Sequence, residues 1–188
     1  AGFGGFDSAY ALSQAMRREA IGQLGQEGEP DSVEMSFGSL RFLPPAGWQK
    51  EANVVFSGYS KALLRYAKSP GSEIPVIAVT KDNAPIGIDS PLEFSQRMRD
   101  MILKSAPKDS PAQIAEPVEE IINGRPAAYM EFSGEGLHGI KHRFAWYQFF
   151  IEGTIVTLQY ANTDFQFKDD FPLFKSLAES MTFIPASP

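Results

Sequence analysis

Cysteine is absent from the 188 residues. That excludes disulfides, thiolate nucleophiles, Cys-ligated zinc and iron–sulfur clusters. Histidine is scarce, with two in the chain, so a His-rich metal centre has few ligands to draw on. Positive charge is short as well: 17 Lys and Arg stand against 23 Asp and Glu, for a net charge of −6. No basic run is longer than Arg17-Arg18. Neutralising phosphates needs a basic patch, so the charge argues against general electrostatic binding of nucleic acid, and an anionic membrane surface is disfavoured on the same ground. No stretch approaches the roughly 18 apolar residues that a membrane-spanning helix requires. A Gly-x-Ser-x-Gly elbow and a Gly-Lys-Ser/Thr phosphate loop are both missing, which counts against the α/β-hydrolase and P-loop readings.

The residues that are there describe a core. The chain is 43% hydrophobic and carries 15 Phe, and its length suits one domain with a short extension. Residues 1–32 form that extension. Asp7 or Ser8 is placed to cap a helix reaching Leu24, with Ala9, Leu12, Met16 and Ala20 near one face, and a polar linker with Gly25, Gly28 and Pro30 follows. The domain takes residues 33–188. Val33–Phe37 and Leu40–Leu43 are expected to pair around Gly38-Ser39. Short strands are expected at Val54–Phe56 and Ala62–Ala67, and another at Ile74–Thr80, where Pro75 restricts it to an edge or a strand start.

Ser90-Pro91 opens a helix that Ala106-Pro107 ends, with Phe94, Met98, Met101 and Ile102 on one stripe. Asn123-Gly124 predicts a hairpin with a type I′ turn, and Glu152-Gly153 predicts a second one between Lys141–Ile151 and Thr154–Tyr160. Both faces of the strand 141–151 are apolar, so it requires cover on both sides. A helix is expected to start at Asp169-Asp170, with Phe171, Phe174, Leu177, Ala178 and Met181 as its buried stripe, before a last short strand at Thr182–Ile184. The sum predicts an α+β protein. Its expected form is an α/β/α sandwich with a central, mostly antiparallel twisted sheet.

Phe42-Leu43-Pro44-Pro45-Ala46-Gly47-Trp48, the hairpin Ile122–Ala127, the aromatic strands from Arg143 to Tyr160 and the closing Ser180-Met181-Thr182-Phe183 together resemble the PsbP/Mog1-like superfamily, with its bacterial DcrB-like and DUF1795 groups. The resemblance covers residues 36–186. It implies that fold and a non-enzymatic accessory or binding role, since members include photosystem II extrinsic subunits, a Ran-GTPase partner and chaperones for type VI secretion effectors. No functional residue of the family transfers by position, and fold alone does not choose a function.

Local chemistry is sparse. His138 and His142 have the spacing of paired metal ligands, with Glu131 or Glu135 as a possible third, but the neighbouring Gly136 and Gly139 favour one loop His and one strand-start His. Ser105-Ala106-Pro107-Lys108 has a Ser-x-x-Lys spacing that Pro107 breaks. The oxygen-rich Asn162, Thr163, Asp164, Asp169 and Asp170 do not fit an EF-hand and are better read as a loop and helix start.

No catalytic residue, metal site or cofactor is assigned. A protein partner is expected, and Trp48, Tyr59, Tyr66, His142 and Arg143 are assigned to meet it. The chain opens at Ala1 without a Met, from a removed targeting segment or a trimmed start. With the helix and linker ahead of the domain, this leads to the expectation of a periplasmic or envelope-associated protein. A cytoplasmic adaptor for a secreted effector is the alternative. A small-ligand carrier or enzyme using His142, Arg143 and Glu131 is the second alternative.

Overall fold

The computed structural model describes residues 30–36, 38–56, 60–69, 71–109, 112–136 and 139–187. The expected N-terminal helix, Tyr59 and His138 lie outside them. The elements run β1 (Asp31–Met35), β2 (Gly38–Phe42), β3 (Gln49–Phe56), β4 (Ser60–Ala67), β5 (Val76–Asn83), α1 (Pro91–Ser105), β6 (Gln113–Ile114), β7 (Val118–Ile122), β8 (Arg125–Glu135), β9 (Lys141–Ile151), β10 (Thr154–Thr163), α2 (Phe167–Ser180) and β11 (Thr182–Pro185). The large sheet has the order β3-β4-β5-β10-β9-β8-β6, with β7 also paired to β8. A smaller sheet has the order β1-β2-β11. All of the pairings are antiparallel, so the chain is α+β with mostly antiparallel sheets.

The second sheet is a departure from the sequence expectation, and Gly38 gives its physical reason. Met35 is in register with Gly38, so Gly38 is the first residue of β2 and not part of the turn. Gly38 has φ +155°, a value that favours glycine, and a side chain there would collide with the Ile184 carbonyl oxygen. Its glycine admits β11 and is not needed by the turn.

The two other hairpins form where they were expected. Asn123 and Gly124 have φ 50° and 78°, and Glu152 and Gly153 have φ 49° and 75°, the paired positive values of a type I′ turn. Pro75 immediately precedes β5, which runs in the interior of the sheet between β4 and β10. The proline therefore sits at a strand start, where its missing N–H leaves no gap in the ladder.

Helix α2 carries the main core. Phe174 and Leu177 are fully buried, and Phe174 lies 5.6 Å from the rings of both Tyr147 and Tyr160. Helix α1 is capped by Ser90, whose Oγ accepts from the Glu93 N–H at 3.1 Å. Its seating differs from the expected apolar stripe. Ser95 is buried and its Oγ donates to the Gln148 side-chain carbonyl, while Met101 is 62% exposed. Gln148 is itself buried, and its Nε2 donates to Thr157 Oγ1 at 3.2 Å. A buried amide must be satisfied, and that requirement rotates the helix away from its most apolar face. Tyr147 and Gln148 are neighbours on β9, and neighbouring strand residues point to opposite faces.

Candidate functional site

The alternation of a strand assembles the site. Tyr129 and Glu131 stand two apart on β8 and share a face. Register pairs Glu131 with Ala145 and Ser133 with Arg143, so Arg143 reaches diagonally across that face. Its Nη1 donates to Glu131 Oε1 at 2.6 Å, and its Nε donates to Asp164 Oδ1 at 2.7 Å. Tyr129 closes the chain by donating its hydroxyl to Glu131 Oε2 at 2.6 Å. Lys141 stands 3.8 Å from the second Asp164 oxygen. The Arg143 guanidinium also lies 5.6 Å from the centre of the Phe167 ring, within cation–π range.

The electrostatics hold Asp164 and Arg143 charged and the Tyr129 and Tyr147 phenols neutral. The hydrogen bond from Arg143 holds the Asp164 carboxyl below its usual value, against a smaller opposing effect of desolvation. Hydrogen bonds to Asp164 and Glu131 push Arg143 up. Burial, followed by the bond to Glu131, pushes the Tyr129 phenol up, and burial likewise raises Tyr147. Each shift removes a group further from exchanging protons near neutral pH.

Beside this chain of bonds lies an open cavity of about 550 Å³, whose walls include Ile114, Glu116, Val118, Tyr129, Glu131 and Arg143. It sits where β8 changes partner from β7 to β6, between the pairs Val118–Tyr129 and Ile114–Phe132. Glu116 at its mouth pairs with Arg99 at 3.2 Å. At the same end of the sheet two apolar side chains project outward. Phe165 is 94% exposed in the β10–α2 turn, and Ile140 is 49% exposed ahead of β9. The Asp164 N–H donates to the Lys141 carbonyl at 2.9 Å, which ties the start of β9 to the β10–α2 turn.

The residues assigned from sequence do not converge. Arg143 is in the site. His142 points to the opposite face, near Phe144, and a side chain on Gly136 would collide with its ring. Trp48 is half-buried against the core. Tyr66 is 1% exposed and donates its hydroxyl to Asp31, so it does not belong to an exposed aromatic surface. Burial of a ring whose hydroxyl has an acidic partner explains that correction.

Of the trio His142, Arg143 and Glu131, the structure brings the last two together. Tyr129 and Asp164 were missed. The signal for Tyr129 was its position two residues before Glu131. Asp164 lies beyond the expected end of β10, which runs on to Thr163. The oxygen-rich segment is engaged by protein groups. Asn162 Nδ2 donates to Tyr160 Oη at 3.0 Å and to the Gln166 carbonyl at 3.1 Å, and Lys68 donates to Asp170 at 3.2 Å.

No family model matches this chain, and no curated protein does. Solved structures do. A cyanobacterial PsbP (CyanoP) from Synechocystis superposes with a TM-score of 0.57 at 12% identity, over 83% of this chain and 93% of that one. LpqN of Mycobacterium tuberculosis, described as involved in cell envelope biogenesis, gives 0.56 at 15% identity, over 84% and 91%. A Pseudomonas aeruginosa protein of unknown function gives 0.50 at 13% identity, over 86% and 100%. At these identities the likeness establishes architecture, and the architecture of this chain is the PsbP/Mog1-like fold.

Proposed function

We propose that this is a non-enzymatic accessory protein of the bacterial cell envelope that works by protein–protein contact at the rim where Ile140 precedes β9 and Phe165 lies in the β10–α2 turn. One observation carries the reading. Phe165 and Ile140 present apolar surface to solvent, beside charged groups that have already satisfied one another. Exposed apolar side chains next to polar groups are the composition of a contact surface. An acid–base site instead needs a group poised to gain or lose a proton. The envelope assignment is supported by the likeness to LpqN, and no described helix is long and apolar enough to cross a membrane.

The rim is held by an α/β/α sandwich in this reading. The support is that α1 reaches Gln148 while α2 stacks on Tyr147, the adjacent residue of β9. Affinity capture from extracts of the protein's own cells tests the function, with the intact chain compared to a Phe165→Ser/Ile140→Ser variant. Partners held by the intact chain and lost by the variant are the expected result. Equal capture by both, or none by either, contradicts it.

A further inference from the structure

Strand β7 leaves one side of its backbone open. It is joined to β8 by the two-residue turn Asn123-Gly124, and Ile122 is in register with Arg125. In such a hairpin the closing pair exchanges hydrogen bonds and the next pair does not. That next pair is Ile121 with Pro126, and Pro126 has no N–H to give. The amide and carbonyl of Ile121, and by the same alternation those of Glu119, therefore face away from β8. No described strand pairs with that side. Its side chains are accessible too: Ile121 is 64% exposed and Val118 49%.

We propose that β7 is a docking edge for an extended segment of a partner protein, which adds to the sheet as an antiparallel strand with an apolar–basic–basic–apolar pattern. The pattern follows from register. Residues directly opposite share a face and touch. The edge reads Val118-Glu119-Glu120-Ile121, so an incoming strand meets apolar, acidic, acidic and apolar neighbours in turn.

Charge points to the same partner. Glu116 and Glu131 of the adjoining cavity are paired with Arg99 and Arg143, and Glu119 and Glu120 on the edge add two further negative charges, in a chain of net charge −6. A second copy of this chain fits poorly. Antiparallel self-pairing that uses the open groups of Glu119 and Ile121 sets Glu120 directly against Glu120 of the other copy, and like charges directly opposite are destabilising. The cavity begins at Val118 and continues past Glu116. It gives the incoming strand a side-chain pocket beyond the backbone pairing, the usual division between affinity and specificity in strand addition. This inference rests on the protein-contact reading above and adds to it a partner chemistry and a second contact element.

The probe is a capped peptide, Thr-Val-Lys-Lys-Val-Thr, titrated onto the full chain by calorimetry or fluorescence polarisation. Binding is expected, and the Thr-Val-Glu-Glu-Val-Thr counterpart should bind at least about tenfold more weakly, roughly 1.4 kcal/mol at 25 °C. N-methylation of the first Val and second Lys amides, which face the open groups of β7, is expected to abolish binding. N-methylation of the first Lys and second Val should leave it intact. Ile121→Pro removes an outward N–H without touching the ladder to β8, and should weaken binding to a similar extent while the thermal midpoint stays near that of the parent. No binding of the basic peptide, equal binding of the acidic one, or indifference to the position of N-methylation overturns the inference. The peptide arms do not depend on whether the proline variant folds. If the peptide fails while cellular partners are still lost with Phe165→Ser/Ile140→Ser, this edge proposal falls and the rim reading stands. If no partner is captured at all, the rim reading itself falls.

Discussion

Arg143 organises the rim, and its removal should show that directly. Two short charge-assisted hydrogen bonds end on its guanidinium, and its side chain is 33% exposed. Bonds of this kind contribute about 1.5–3 kcal/mol when buried, and partial exposure reduces that. Arg143→Met, which keeps the stem over Phe167, is therefore expected to cost about 1–2 kcal/mol in urea unfolding. The same group sets an acid limit. The Asp164 carboxyl titrates below its ordinary 3.8 in the fold. Its contribution is complete above the unfolded value and is lost as pH falls through the lower folded one. Stability should stay flat near neutral pH and decline in acid, and Asp164→Asn should remove part of that decline.

Tyrosines set the opposite limit. Burial, followed by the bond to Asp31, raises Tyr66, and burial pushes Tyr160 up to about 12. The fold favours the protonated phenol, so this contribution is whole below the unfolded value near 10 and fades as pH rises above it. Alkaline unfolding monitored by tyrosine absorbance should begin there. The side-chain readings from sequence were weakest at this scale. Trp48 and Tyr66 lie near turns or poorly alternating strands in the sequence, and proximity to a turn does not determine where a ring points. Arg143 was found, yet its partner Asp164 lay past the expected end of β10.

At the scale of elements, most boundaries were legible because their signals are local. Ser90-Pro91 starts α1, and the Asn-Gly and Glu-Gly pairs turn the hairpins. The second sheet was illegible because it depends on β11 meeting β2, far apart in the chain. Gly38 tests that account. Gly38→Ala places a side chain against the Ile184 carbonyl oxygen at a φ that alanine resists, and strained positions of this kind cost about 1–3 kcal/mol. Amide exchange should then rise in β11 and β2 and stay unchanged in β8 and β9. A uniform rise would mean that β11 is an integral part of the main core. The orientation of α1 was hidden for another reason. A helical stripe ranks apolar faces, and here a buried amide, Gln148, required Ser95 instead. Ser95→Ala removes that donor and is expected to destabilise by about 1–2 kcal/mol.

At the scale of the whole molecule, both proposed contact elements adjoin β8: Ile140 follows it in the chain at the rim, β7 pairs with it, and the cavity is lined by residues of β8 and Val118 of β7. The fold class was legible from alternation and the apolar strand β9. The proposed contact surface was not, because such a surface is made of exposed side chains whose neighbours come from distant segments. Phe165 is one aromatic among many in the sequence, and only the fold shows that it is outside. The most direct test is site-specific photocrosslinking in the protein's own cells, with the crosslinker at position 165 or at position 86. Ile86 is fully exposed at the opposite end of the sheet, where Ala84 bonds to Gly153, so it matches Phe165 in accessibility and differs in location. The account predicts a discrete protein adduct from position 165 and none from position 86. Adducts from both positions alike, or from position 86 alone, would contradict it.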